Sequence, residues 1–171
     1  MQQQRRKNFM TTVAFDGKLL AADGLCTMGN TIQGRNTQKV FPVLINWGGE
    51  QMPALFAGAG SMEMVWIIKE YLERENLLDP ECRVGMEKGE FEGILVLADG
   101  RAFMLEDTLT PFPAEVPAAI GSGAVFAQTA MTLGRNAAQA VEVASQMDIY
   151  SGGTILVYDV ESLAVESTEA A

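Results

Sequence analysis

Apolar and polar positions alternate in short runs along most of the chain, and glycine-containing turns separate the runs. Thr12-Val13-Ala14-Phe15 and Lys18–Ala22 flank Asp16-Gly17. That dipeptide suits a two-residue type I′ turn, whose central residues both need positive φ. Val43–Trp47 and Ala54–Ala57 flank a loop containing Gly48-Gly49, and Gly93–Ala98 and Arg101–Leu105 flank Asp99-Gly100. Three hairpin signals predict antiparallel sheet and argue against a Rossmann-type parallel one. In two places the apolar period lengthens to three or four. Over Met62–Arg74, Val65, Ile68 and Leu72 share one face, with Ser61 at the N-cap position and Glu63 two residues on. The stretch Ala124–Met147 predicts two helices broken at Gly134, the second capped by Asn136. After Gly152-Gly153, Thr154–Val160 is a β-branched closing strand, and Glu166–Ala171 reads as a frayed tail. Strand runs interrupted by two helical blocks predict an α+β layered sandwich.

A length of 171 residues, 48% of them hydrophobic and 20% charged, fits one domain with a full core. The net charge of −10 repels phosphate backbones and anionic lipid, so neither nucleic acid nor a membrane surface is an expected partner. Met1–Phe9 is the exception: it is polar and basic and holds three of the 12 lysines and arginines. Residues 1–10 therefore read as a leader, a propeptide or a mis-assigned start, with the folded domain over 11–171. Arg5-Arg6-Lys7 can be encoded by a purine run resembling a bacterial ribosome-binding site just upstream of Met10, which motivates the last of these. No apolar signal-peptide core or membrane-length run occurs in the sequence, and the expected location is cytoplasmic.

The chain contains no histidine. That removes Ser-His-Asp and Cys-His catalysis, histidine-ligated zinc and any histidine base. Cys26 and Cys82 form no CxxC pair, so no thiolate metal site or redox pair is predicted. A threonine at a free N-terminus supplies the missing base. If the chain preceding Thr11 is removed, that residue carries a hydroxyl nucleophile and an α-amine of pKa about 7.7–8.0, which activates the hydroxyl. On position alone, the better reading of Thr11 and Thr12 is the start of a β-strand.

Further segments follow in order: Ala21-Ala22-Asp23-Gly24, Thr27-Met28-Gly29-Asn30-Thr31, Lys39-Val40, Phe56-Ala57-Gly58, Ile120-Gly121-Ser122-Gly123 and Asp148-Ile149-Tyr150-Ser151-Gly152-Gly153. Together with Thr11-Thr12-Val13 they resemble the proteasome β-subunit family of N-terminal threonine peptidases, most of all its HslV-like bacterial branch. The resemblance spans nearly the whole chain from Thr11. It implies the four-layer αββα sandwich of N-terminal-nucleophile hydrolases, with Thr11 as nucleophile. It also implies an Asp23–Lys39 pair that sets the electrostatics, and Ser122, Asp148 and Ser151 as support around the terminal amine. The oxyanion donor maps to the amide of Gly58, with Gly60 as fallback because of an extra glycine. Substrate contact maps to Thr27, with Cys26, Thr37 and Phe56 bordering the specificity pocket.

The implied activity is hydrolysis of peptide bonds in unfolded proteins or peptides, without metal or organic cofactor. A homo-oligomeric ring and an ATP-dependent unfoldase partner come with the resemblance. Two other functions stay open: an N-terminal-nucleophile amidohydrolase acting on a small amide, and an inactive ring or scaffold subunit. The sequence departs from the family in a shorter first hairpin. It departs again over Asn76–Glu90, where Pro80, Gly85 and Gly89 interrupt what is usually a second long helix. That second departure bears on ring size and stacking.

Overall fold

The computed structural model describes residues 10–79 and 91–163. Leader residues 1–9, most of the Asn76–Glu90 segment and the Glu166–Ala171 tail lie outside the described residues.

The N-terminal hairpin joins β1 (Thr12–Phe15) to β2 (Leu19–Ala22), antiparallel with Phe15 opposite Leu20. Its turn lies one residue later than predicted. The Asp16 N–H donates to the Leu19 carbonyl at 3.3 Å, so Gly17 and Lys18 are central, and of these only Gly17 has positive φ (101°). This is the type II′ pattern, which needs glycine only at the first central position. The Asp16 carboxylate is thereby released for other work: it accepts from the N–H groups of Lys18 and Leu19 and from Ala137 at the start of a helix.

After a small hairpin of β3 (Cys26–Met28) and β4 (Thr31–Gly34), the chain enters the long pair β5 (Val40–Trp47) and β6 (Glu50–Gly60). Here Trp47 faces Glu50, and Gly48 and Gly49 both take positive φ (64° and 93°), as a type I′ turn requires. The third predicted hairpin is also present, as β7 (Phe91–Leu97) and β8 (Ala102–Leu105). Its loop has three residues rather than two, closed by Gly100 N–H on the Leu97 carbonyl at 2.9 Å.

Helix α1 (Met62–Arg74) keeps its predicted bounds, and the Ser61 side chain accepts from the Met64 N–H. Short strands β9 (Phe112–Pro113) and β10 (Ala118–Gly121) precede α2 (Ala124–Thr132) and α3 (Ala137–Met147). Asn136 and Gln139 form a reciprocal capping box at the start of α3. Strand β11 (Leu156–Asp159) closes the described chain's sheet structure.

Among the described residues two large antiparallel sheets result beside the β3–β4 ribbon, ordered β10-β1-β2-β11 and β5-β6-β7-β8-β9. Strand alternation decides how they stack. Val13, Phe15, Leu20 and Ala22 point from the first sheet onto Leu55, Ala57, Ile94 and Val96 of the second. Ala14 and Ala21, on the opposite face, meet Ala127, Ala137, Ala140 and Ala144 of α2 and α3. Small side chains on both partners bring helix and strand backbones close together. On the outer face of the second sheet, Phe41, Ile45 and Phe56 pack under Val65, Ile68 and Leu72 of α1. Each such large side chain contributes roughly 1.5–3 kcal/mol on full burial. The layers therefore run α2–α3, sheet, sheet, α1: the αββα sandwich expected from the sequence. Among the described residues no helix is long and apolar enough to cross a membrane.

Candidate active site

The stacking places one end of β1 and β2 against the start of β5. Asp23 follows directly on β2, and its N–H donates to the Thr12 carbonyl at 3.1 Å. Lys39 is the last residue before β5, and Thr11 the residue before β1. All three are buried, with Asp23 and Lys39 at 1% and 2% exposure. Asp23 accepts on both oxygens. Oδ1 takes the Thr11 hydroxyl at 2.8 Å, the Thr12 N–H at 2.9 Å and the Lys39 ammonium at 2.9 Å. Oδ2 takes the N–H groups of Leu25 and Gly152. Lys39 also donates to the Leu25 carbonyl at 2.7 Å and lies 3.5 Å from the Met10 carbonyl. Burial pushes the Lys39 ammonium below the usual lysine range, and the neighbouring Asp23 carboxylate pulls against that shift.

A second cluster, of buried Asp148 and Ser151 with half-buried Ser122, lies beside the first. Asp148 caps the C-terminal end of α3, where a carboxylate opposes the helix dipole at a cost of roughly 0.3–1 kcal/mol. Hydrogen bonds hold it there: the Ser122 and Ser151 hydroxyls each reach Oδ2 at 2.6 Å, and the Tyr150 N–H reaches Oδ1 at 3.2 Å. Ser122 Oγ is also 3.3 Å from the Thr11 carbonyl oxygen. The turn that carries Ser122 is tied to the other sheet, because the Gly121 N–H donates to the Glu92 carboxylate.

A cavity of about 260 Å³ opens in front of Thr11 and Lys39. Leu25, Met28 and Met62 give it apolar walls, and Cys26 and Thr27 form the edge. The β5–β6 ladder ends at Val40 opposite Ala57, while β6 continues to Gly60, and both Gly58 and Gly60 line the cavity. Met10 remains joined to Thr11 and occupies part of the space, its sulfur accepting from the Thr27 hydroxyl.

The six polar residues singled out in the sequence thus form two adjacent clusters: Thr11, Asp23 and Lys39, then Ser122, Asp148 and Ser151. Thr27, mapped to substrate contact, lines the cavity; of the residues mapped to the pocket border, Cys26 lines it, but Phe56 and Thr37 do not. Phe56 is fully buried under α1 against Phe41 and Phe91, because strand alternation turns it to the outer face of its sheet. Thr37 packs near Gly34 and donates its N–H to the Gly24 carbonyl.

Sequence reasoning overlooked Thr12, which is fully buried and has its hydroxyl 2.6 Å from Ser151 Oγ. A signal was present in the otherwise apolar β1, where a lone polar residue needs a partner if both faces are covered. Gly123 marks the same contact: a Cβ there would run into Thr12 Oγ1 and lie 3.2 Å from Ser151 Oγ. Gly123→Ala should displace the Thr12 hydroxyl, destabilise the chain by about 1–3 kcal/mol and lower turnover. Thermal unfolding together with a peptide assay checks both effects.

No protein-family model matches the sequence, and no curated protein matches it. Solved structures do match the fold. The Thiobacillus denitrificans protein BPH superposes with a TM-score of 0.63 at 17% identity, over 87% of this chain and 96% of its own. The same protein in complex with epoxomicin gives 0.65 at 18% identity, over 87% and 97%. A eukaryotic HslV from Trypanosoma brucei gives 0.62 at 17% identity, over 87% and 97%. The chain has the HslV-like αββα fold, as a distant structural match to these proteins.

Proposed function

We propose that the chain is a threonine-type peptidase whose nucleophile is Thr11 once the Met10–Thr11 bond has been cut. The observation that carries this reading is the shared carboxylate: the Thr11 hydroxyl and the Lys39 ammonium bind the same oxygen of Asp23 at the head of an apolar cavity. While Met10 is attached, the Thr11 nitrogen is an amide and cannot act as a base.

After cleavage the α-amine takes the Oγ proton, and Oγ bonds to the peptide carbonyl carbon while the carbonyl electron pair moves to oxygen. The Lys39 cation nearby favours the unprotonated amine and the developing alkoxide. An amide of the Gly58–Gly60 strand end holds the oxyanion, and losing one such donor typically costs about 2.7–4 kcal/mol. Collapse breaks the C–N bond, and the leaving amine takes the proton from the Thr11 ammonium. Water then hydrolyses the ester by the reverse proton path. The apolar walls suit an apolar substrate side chain. Assembly into a homo-oligomeric ring and supply of unfolded chains by an ATP-dependent unfoldase belong to the same reading.

The test compares protein beginning at Thr11 with protein that retains Met10, each confirmed by intact mass. The first should cleave unfolded casein and a leucine-containing fluorogenic peptide, and should bind epoxomicin, as the Thiobacillus protein does. The second should do none of these. Equal behaviour of the two forms would overturn the amine as base. A Thr11-starting protein inert to casein but active on a small amide would replace the peptidase with an amidohydrolase; inertness to both leaves a scaffold subunit.

A further inference from the structure

Thr12 is where the two carboxylate clusters meet. Its N–H donates to Asp23 Oδ1 at 2.9 Å, and its hydroxyl lies 2.6 Å from Ser151 Oγ. Ser151 places its one hydroxyl proton on Asp148 Oδ2, so in the Thr12–Ser151 pair Thr12 must be the donor. The hydroxyl chain therefore has a fixed direction, from Thr12 to Ser151 to Asp148, with Ser122 arriving at the same carboxylate oxygen.

We propose that Thr12 is a positioning residue: acting through Ser151, its hydroxyl holds Asp148 and Ser122 in register with Thr11. This rests on the reading of Thr11 as nucleophile. Three features of the fold make room for that hydroxyl. Thr12 shares its face of β1 with Ala14, which packs on alanines of α2 and α3, so a hydroxyl there is costly unless bonded. Residue 123 is glycine, and any Cβ would collide with Thr12 Oγ1. Asp148 stands against the dipole of α3, so its orientation depends on the hydroxyls that reach it.

Thr12→Val keeps the branched shape and removes the hydroxyl, while Thr12→Ser keeps the hydroxyl and removes the methyl. In protein beginning at Thr11, Thr12→Val should lower kcat for a fluorogenic peptide by about 10- to 100-fold, with KM within about twofold. Thr12→Ser should stay within about threefold of the parent in kcat. Ser151→Ala combined with Thr12→Val should be no slower than Ser151→Ala alone, because the two act through one chain.

Parental kcat in Thr12→Val overturns the proposal. So does a Ser variant as slow as the Val variant, since the methyl would then be the important group, or an additive loss in the double variant. Thr12→Ala, which also lacks the hydroxyl but demands less space, replaces Val if the Val variant does not fold. If the unsubstituted protein cleaves no peptide, it is the nucleophile reading that fails, and this proposal falls with it.

Discussion

Thr11→Ala, in protein beginning at position 11, should slow peptide turnover by about 10⁴-fold or more while leaving the fold intact. The two halves of that expectation come from different atoms. In the proposed mechanism turnover needs Oγ, and the described site places no other hydroxyl on both the Lys39-bound carboxylate and the cavity. Stability depends much less on it. Asp23 keeps its ammonium and three backbone donors when the Thr11 hydroxyl is gone, so the loss amounts to one hydrogen bond, about 1 kcal/mol. For a chain of this size that lowers the thermal midpoint by about 2–4 °C. Single-turnover kinetics and thermal unfolding on the same preparation check it. A variant that loses activity only because it unfolds, or one that keeps a substantial fraction of turnover, would remove Thr11 from the chemistry.

The parts of the molecule that could be read from sequence are those fixed by local rules. Ser61 begins α1 because its hydroxyl satisfies an amide that the helix cannot, and Gly134 separates α2 from α3 because it adopts φ of 92°. Glycines marked the hairpins correctly, but turn type escaped detection. Asp16-Gly17 looked like the central pair, whereas the Asp16 carboxylate is engaged with Ala137 of α3, a contact across more than 100 residues of sequence.

The short strands β3, β9 and β10 have two to four residues each, too few for any period to register. Phe56 and Thr12 failed for one shared reason: which face of a strand a residue occupies is visible in the sequence, but what covers that face is not. Covered on both sides, β1 makes Thr12 a buried link between two carboxylates. The charged cluster itself was legible only through resemblance, because Asp23 and Lys39 are 16 residues apart and nothing local brings them together.

Asp23→Ala should be the most damaging single change to stability. It leaves the Lys39 ammonium buried with the Leu25 carbonyl as its remaining close partner, and breaking a buried pair from one side costs about 3–5 kcal/mol. It also strips the N–H groups of Thr12, Leu25 and Gly152 of their acceptor, each at about 1–3 kcal/mol. Against a typical total of about 5–15 kcal/mol, the variant should be largely unfolded or should melt far below the parent.

The pH dependence identifies the cause. Burial already holds Lys39 below its unfolded value, and removing Asp23 takes away the group that opposes this. Folding then discriminates further against the charged lysine. The penalty is complete below the folded-state pKa and is relieved as pH rises from there toward the unfolded value of 10.5, so Asp23→Ala should gain stability with rising pH more steeply than the parent. Adding Lys39→Met to Asp23→Ala removes the stranded charge and should recover much of the stability at neutral pH, with no return of turnover. Denaturant unfolding of parent, single and double variants at two pH values tests this. If the single variant lost less than about 1 kcal/mol, or if the methionine gave no recovery, Lys39 could not be the buried cation on which both the fold and the proposed chemistry depend.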